Sequence, residues 1–300
     1  MPTKILITGG SGMIGKALSA VLTKKGFEIA HLSRNPKAGG EYPMYLWDLH
    51  EKYIDPKALD TDLIIHLAGE GIADKRWTPE RKDVLQASRI QSAQLLYNAI
   101  SKRQKKPLRI ISASAIGYYG SDTKASVCKE TTLPGDDFIG QFVLNWERQL
   151  SAFDTLGMQV SLLRIGFVLA KQGGALPKLM RPIFWGVGAP IGSGLQQISW
   201  IHIDDLCQMF VYVIEHQLSG IYNAVTDSVT NADLTCAIAK QINRPLWLPN
   251  IPNFTLKLLF GEMASLILGG NKVSADKILA QGFEYDYPEL EGALAHLFKH

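Results

Sequence analysis

Three glycines at three-residue spacing, Gly9, Gly12 and Gly15, stand between an apolar run, Ile5 to Ile7, and an amphipathic pattern of Ile14, Leu18, Val21 and Leu22. The run suits a strand buried on both faces, and the pattern suits a helix. The chain must then turn sharply from strand to helix and leave bare backbone at the helix start. Unpaired N–H groups, the positive end of a helix dipole and the lack of Cβ atoms together suit a dinucleotide pyrophosphate. Thr8, Gly9, Gly12, Met13, Ile14 and Gly15 are the expected cradle.

The element that should position the adenosine end is a second strand, Phe27 to Leu32, running into Ser33 and Arg34. An acidic residue at this strand end would accept from the 2′-hydroxyl of NAD. None stands there. Arg34 offers a planar, permanently charged fork and Ser33 a hydroxyl, which suits a 2′-phosphate and favours NADP over NAD. Tyr45 to Leu49 reads as a third strand, whose Asp48 can cap a turn. A fourth, Leu63 to Leu67, runs into Ala68 and Gly69, small enough for close approach of backbone to cofactor. His66, Leu67, Ala68 and Gly69 therefore join the expected cofactor-lining set, with His66 read first as a packed core histidine.

Further along, a helix is expected over Pro79 to Ser101. Leu108 to Ile111 is a strand that opens into Ser112 to Gly120, and Val160 to Leu169 is one apolar run holding Arg164. Alternating strands and helices at these lengths imply right-handed crossovers. The fold class expected is α/β: a doubly wound, mostly parallel Rossmann-type sheet with a smaller C-terminal substrate lobe. Residues 1–170, with 200–228 returning to them, should form the nucleotide-binding unit. Residues 171–199, crowded with glycine and proline, and 229–300 should form the lobe.

The 300 residues carry a net charge of +3 and three widely spaced cysteines. So small a charge gives no reason to expect nucleic acid as partner, and the cysteines suit neither a disulfide framework nor a metal cluster. Met1 leads straight into the first strand, and no apolar run reaches membrane-spanning length. The expectation is a cytoplasmic protein with a small-molecule substrate and no membrane partner, for which a homodimer is an admissible assembly.

Taken together, the Thr-preceded G-x-x-G-x-x-G turn, Ser114, Arg164, Ile201 to Leu206 and Gly220 to Asn223 resemble the extended, atypical short-chain dehydrogenase/reductases. More narrowly, the chain resembles their nucleoside-diphosphate-sugar-epimerase-like group. That likeness is carried by His66 to Ile72, Arg76-Trp77, Ser88-Arg89, Trp146-Glu147, Pro190 to Gly194 and the tail from Gly261 to Leu297. It implies an NADP cofactor held partly by Ser88 and Arg164, with Ser88 standing where relatives carry a structural Asn, and places Asp48 beside the adenine as the alternative to a turn cap. It also implies a Ser-Tyr-Lys centre, of which Ser114 is present. The Tyr-x-x-x-Lys pair is absent from its expected place before Glu147, where Ile139 and Val143 stand and neither moves a proton. The only Tyr-x-x-x-Lys in the sequence, Tyr53 to Lys57, lies in a strand connection with a proline inside it. Tyr118 is the substitute phenol, and Glu147 an acid or base if it is buried. The functions that follow are an oxidoreductase or epimerase, or a nucleotide-binding sensor without turnover.

Overall fold

A computed structural model describes residues 3–37, 39–124 and 126–299. The first half runs β1 (Lys4–Thr8), α1 (Met13–Lys24), β2 (Glu28–Ser33), β3 (Met44–Asp48), β4 (Tyr53–Ile54), β5 (Leu63–His66), α2 (Pro79–Ser101) and β6 (Arg109–Ala115). It continues through β7 (Val127–Cys128), α3 (Phe138–Ser151), β8 (Gln159–Ile165), β9 (Phe167–Leu169), α4 (Leu176–Phe184), β10 (Gln197–His202) and α5 (Ile203–Glu215). The last part holds β11 (Gly220–Ala224), β12 (Asp227–Thr230), α6 (Asn231–Gln241), α7 (Asn253–Phe260), α8 (Ser265–Leu268), β13 (Lys272–Val273), α9 (Asp276–Leu279) and α10 (Leu290–Phe298).

Eight strands form the main sheet in the order β11-β8-β6-β5-β1-β2-β3-β4, parallel except for the β3–β4 edge. Alternation along each central strand explains why it is apolar throughout. Ile5 and Ile7 of β1 face the core beneath α1 and α5, whereas Leu6 faces the core beneath α2 and α3. Ile64 against Leu63 and Ile65, and Ile110 against Ile111, divide in the same way. A strand with helices on both faces has no polar side to show. The resulting sandwich is the doubly wound fold expected from sequence.

One apolar run divides where a single strand was expected. Val160 to Leu169 breaks at Gly166, whose N–H donates to the Ala224 carbonyl and where a Cβ would sit 2.5 Å from the Ser199 oxygen. Before the break β8 lies in the main sheet; after it β9 joins β10 and β12 in a second, three-stranded sheet. This small sheet carries the third core, with Leu176, Trp200, Leu234 and Leu294, under the C-terminal lobe. His202 is the N-cap of α5, its Nδ1 accepting from the Asp204 N–H at 3.1 Å.

Candidate functional site

The strand order reverses between β1 and β5, because β2 follows β1 on one side and β6 follows β5 on the other. Loops leaving the carboxyl ends of these two strands separate there and leave a crevice. Gly9 opens the first loop at φ +71°, and a Cβ on it would come within 2.9 Å of the Leu67 carbonyl group. Only glycine fits that conformation and that contact. Gly15 is equally constrained, since its Cβ would meet the Gly9 oxygen at 2.4 Å. Gly12 differs: a Cβ there would touch only the Gly9 oxygen, at 3.2 Å, and otherwise project into open space. Helix α1 starts behind it with no side-chain cap and no acidic residue in its first turn. A bare helix mouth of this kind fits a diphosphate.

Beneath the crevice, Thr8 Oγ1 accepts from the N–H groups of Leu67 and Ala68, both at 3.1 Å. With its acceptor side so occupied, the hydroxyl donates to His66 Nδ1 at 2.8 Å. The network thus assigns the ring proton of His66 to Nε2, which faces Ser92 Oγ at 3.3 Å. Burial, reinforced by the Arg89 charge, lowers the His66 pKa to about 4. His66 is a neutral bridge that fixes the ends of β1 and β5, not an acid or base. On the other flank, His31 packs flat against Gly10, where a Cβ would meet the ring at 2.5 Å. Its Nε2 donates to Ser19 Oγ at 2.8 Å, because that hydroxyl is already donating to the Gly15 oxygen.

The loop after β5 is held by side chains of α2. Ser88 Oγ accepts from the Glu70 N–H at 3.2 Å, Arg89 donates to the Glu70 oxygen at 3.0 Å, and Arg81 donates to the Gly71 oxygen at 2.8 Å. Trp77 Nε1 donates to the Ile72 oxygen at 2.9 Å. Gly69 leaves room for the Arg89 guanidinium, which would lie 2.9 Å from a Cβ. The structure therefore places Ser88 behind the loop. Arg34 is exposed at the end of β2 and pairs with Glu70 at 3.4 Å. The Ser33 hydroxyl accepts from the Asn35 N–H. Asp48 caps its own turn, accepting from His50 and Glu51 N–H, and those bonds hold its pKa below the usual carboxylate value.

A second network lies at the carboxyl end of β6. Ser114 Oγ donates to Glu147 Oε1 at 2.5 Å. Arg164 grips the same carboxylate with Nε at 2.9 Å and its terminal nitrogen at 2.8 Å. Glu147 is buried rather than a surface carboxylate, and Arg164 is 1% exposed. Burial alone would lower the Arg164 pKa, but the Glu147 bonds outweigh it and hold the guanidinium firmly charged. Arg164 also donates to Tyr119 Oη at 3.1 Å, and Tyr119 donates to Asn223 at 2.7 Å. Burial pushes the Tyr119 phenol up to about 12. The Tyr118 ring stacks on Arg164, centroid to Cζ 3.4 Å, and its phenol has no hydrogen-bond partner among the described residues.

Ile139 and Val143 are buried against Gly117, where a Cβ would meet Ile139 Cγ2 at 2.7 Å. The turn bearing Tyr118 is braced from two sides. Asp137, the cap of α3, accepts from the Ser121 N–H at 2.7 Å, and Asn271 of the C-terminal lobe donates to the Gly120 and Ile116 oxygens at 2.8 and 3.3 Å. Met13 lies under the loop after β9, where Gly173 and Gly174 adopt φ of +78° and +68° against its side chain. A separate cavity of about 740 Å³ opens at the amino ends of β1, β5 and β6, the edge of the sheet where this fold does not bind nucleotides.

Sequence reasoning did not find the roles of His31 and Arg81, which have no local signature. Glu70 stood in a quoted motif without a function. Its pairing is visible only once β2 and β5 are placed on either side of β1.

The sheet order and the glycine turn at its point of reversal are those of an extended short-chain dehydrogenase/reductase. Comparison with known proteins narrows the class. Residues 5–142 match the NAD dependent epimerase/dehydratase family, and residues 251–297 match a domain of unknown function, DUF1731. An epimerase family protein of Staphylococcus aureus is 35% identical over 300 residues, 98% of each chain. The crystal structure of human epimerase family protein SDR39U1, solved with NADPH, superposes with a TM-score of 0.87 at 30% identity, covering 98% of this chain and 99% of that one. A nucleoside-diphosphate sugar epimerase from Corynebacterium glutamicum gives a TM-score of 0.79 at 29% identity, and the match spans 58% of its length. The chain belongs to the epimerase family.

Proposed function

We propose that this protein binds NADP(H) and acts as an oxidoreductase or epimerase on a small polar substrate bearing a hydroxyl or carbonyl group. The observation that carries this reading is the Gly9–Gly15 turn at the point of strand reversal, with an uncapped helix start behind it and Arg34, not a carboxylate, closing the adenosine end. The relative crystallised with NADPH has the same overall fold. Bound there, the nicotinamide would supply hydride exchange. The chain's own contribution is to hold and orient the dinucleotide and to move one proton.

For that proton the reading favours Tyr118. Its phenol is free of protein partners, and the Arg164 guanidinium fixes the ring from below. Ser114 already directs its hydroxyl hydrogen to Glu147, so toward a ligand it presents lone pairs and suits an incoming hydroxyl better than a carbonyl oxygen. The test is NADPH oxidation, followed by its absorbance, over sugar nucleotides, quinones and aldehydes. Tyr118→Phe is expected to lower kcat by about 100-fold or more while NADP(H) affinity stays the same. An unchanged kcat would remove Tyr118 from the mechanism.

A second reading, a nucleotide-binding sensor or scaffold without turnover, is favoured by one observation. Ile139 and Val143 are buried where the family's proton-transfer pair would act. Tight NADP(H) binding with no turnover across the whole panel would select it.

A further inference from the structure

The Glu70 carboxylate lies between two arginines and saturates neither. Arg34 lies at 3.4 Å from Oε1 and Arg81 at 3.4 Å from Oε2, both longer than a tight charge-assisted bond of about 2.8 Å. Arg34 comes from the end of β2 and Glu70 from the loop after β5, and β1 lies between those strands. The pair therefore reaches across the end of β1, over the place this fold gives to the adenosine ribose.

The two contacts are unequal. The Arg34 side chain is 71% exposed, whereas that of Arg81 is 10% exposed and is also anchored on the Gly71 oxygen. A solvated pair is worth little and exchanges readily; a desolvated, doubly bonded arginine does not let go. Arg81 Nε is moreover buried with no hydrogen-bond partner among the described residues, so this arginine has spare donor capacity.

We infer that Glu70 is an internal stand-in for the ribose 2′-phosphate: it holds Arg34 over the ribose subsite and is displaced from it when a 2′-phosphorylated dinucleotide binds. Arg34 passes to the phosphate, and Glu70 stays on Arg81. The carboxylate thereby pre-positions Arg34 but also opposes the incoming dianion, so it sets how strongly NADP is preferred over NAD. This inference rests on the NADP(H) reading above.

The test is equilibrium binding of NADP⁺ and NAD⁺, by titration calorimetry, to the full chain and to Glu70→Gln, Arg34→Gln and the double variant. Removing the carboxylate should tighten NADP⁺ by about two- to fivefold, the scale of the exposed Arg34 ion pair that no longer has to be broken, and leave NAD⁺ unchanged. In the Arg34→Gln background the same substitution should shift the NADP⁺/NAD⁺ ratio by less than half as much, because the competition for Arg34 is gone. An unchanged ratio in Glu70→Gln overturns the inference and leaves the cofactor reading intact, as does an equal weakening of both nucleotides. Weaker NAD⁺ binding alone would mean that the carboxylate accepts from a ribose hydroxyl, which also overturns it. A parent chain that binds neither nucleotide sinks both proposals. Glu70 is partly exposed, and thermal melts check that each variant is folded; Glu70→Asp, which withdraws the carboxylate by one methylene, provides the same sign of effect should Gln not fold.

Discussion

At the residue scale, two arginines of the same charge do opposite work. Arg34 is exposed, with a single long ion pair, and is free to take a ligand. Arg34→Asp is expected to raise the Kd for NADP⁺ by about 100-fold, having replaced an attraction by a repulsion, with a change of a few-fold at most for NAD⁺. Equal losses for the two nucleotides would refute the phosphate assignment. Arg164, by contrast, is committed on every side to Glu147, Tyr119 and the Glu130 carbonyl. Removing its partner leaves an unpaired buried cation. Glu147→Ala is expected to destabilise the fold by about 3–5 kcal/mol, read as a lower midpoint of urea unfolding. A loss under 1 kcal/mol would show that water replaces the carboxylate. Nothing in the sequence separates these arginines by type; their strands' positions in the sheet do.

At the scale of the element, the glycine turn contains two kinds of glycine. Gly15 is required by packing, with 2.4 Å between its would-be Cβ and the Gly9 oxygen. Packing does not require Gly12, since its Cβ would point into open space apart from one contact at 3.2 Å; under the proposed function the dinucleotide does. Gly12→Val should therefore keep a melting temperature within a few degrees of the parent and abolish nucleotide binding. Gly15→Val should lower the melting temperature steeply whether or not a nucleotide is present. The assignment would be reversed if Gly12→Val alone unfolded the protein. Spacing identified the triplet but could not sort its members, because the sorting depends on which backbone lies opposite each Cα. The same limit explains Gly166. Its run looked continuous in hydrophobicity, and the break comes from the close approach of the Ser199 carbonyl in another strand.

Across the whole molecule, the C-terminal lobe is tied to the nucleotide-binding sheet through buried titratable groups. Asp205 accepts from the N–H groups of Asp286 and Tyr287 at 2.8 and 3.2 Å, while burial, the larger influence, raises its pKa to about 6. The His202 ring packs at a tilt against Tyr287, centroids 4.1 Å apart, and burial lowers its pKa to about 4. His66 is lowered to about 4 as well. The signs oppose. A histidine whose pKa falls on folding contributes stability that is complete above its unfolded value of 6.5 and is lost as the pH drops through 4. An aspartate whose pKa rises contributes stability that is complete below 3.8 and is lost as the pH rises through 6. Two histidines outweigh one aspartate, so the melting temperature should fall on acidification from pH 6.5 to pH 4. Asp205→Asn should make that fall steeper between pH 6 and pH 4 by removing the opposing group. A melting temperature that rises on acidification would contradict this balance. Among the described residues no helix is long and apolar enough to cross a membrane.

The sequence by itself determined the architecture and the ligand class. Apolar runs of strand length, helical periodicity and a glycine triplet are local patterns, each imposed by the chain on its own neighbours, and they required a doubly wound sheet with a diphosphate turn. That Ile139 and Val143 cannot move protons was legible for the same reason. Tertiary structure alone decided which polar groups are engaged and which are free. His66 became a neutral bridge, Ser114 a donor to Glu147, and Glu70 a carboxylate shared by two arginines, because each partner lies at least 11 residues away along the chain. A hydrogen bond or ion pair depends on distance in space, and only the packing of the sheet brings those groups within reach.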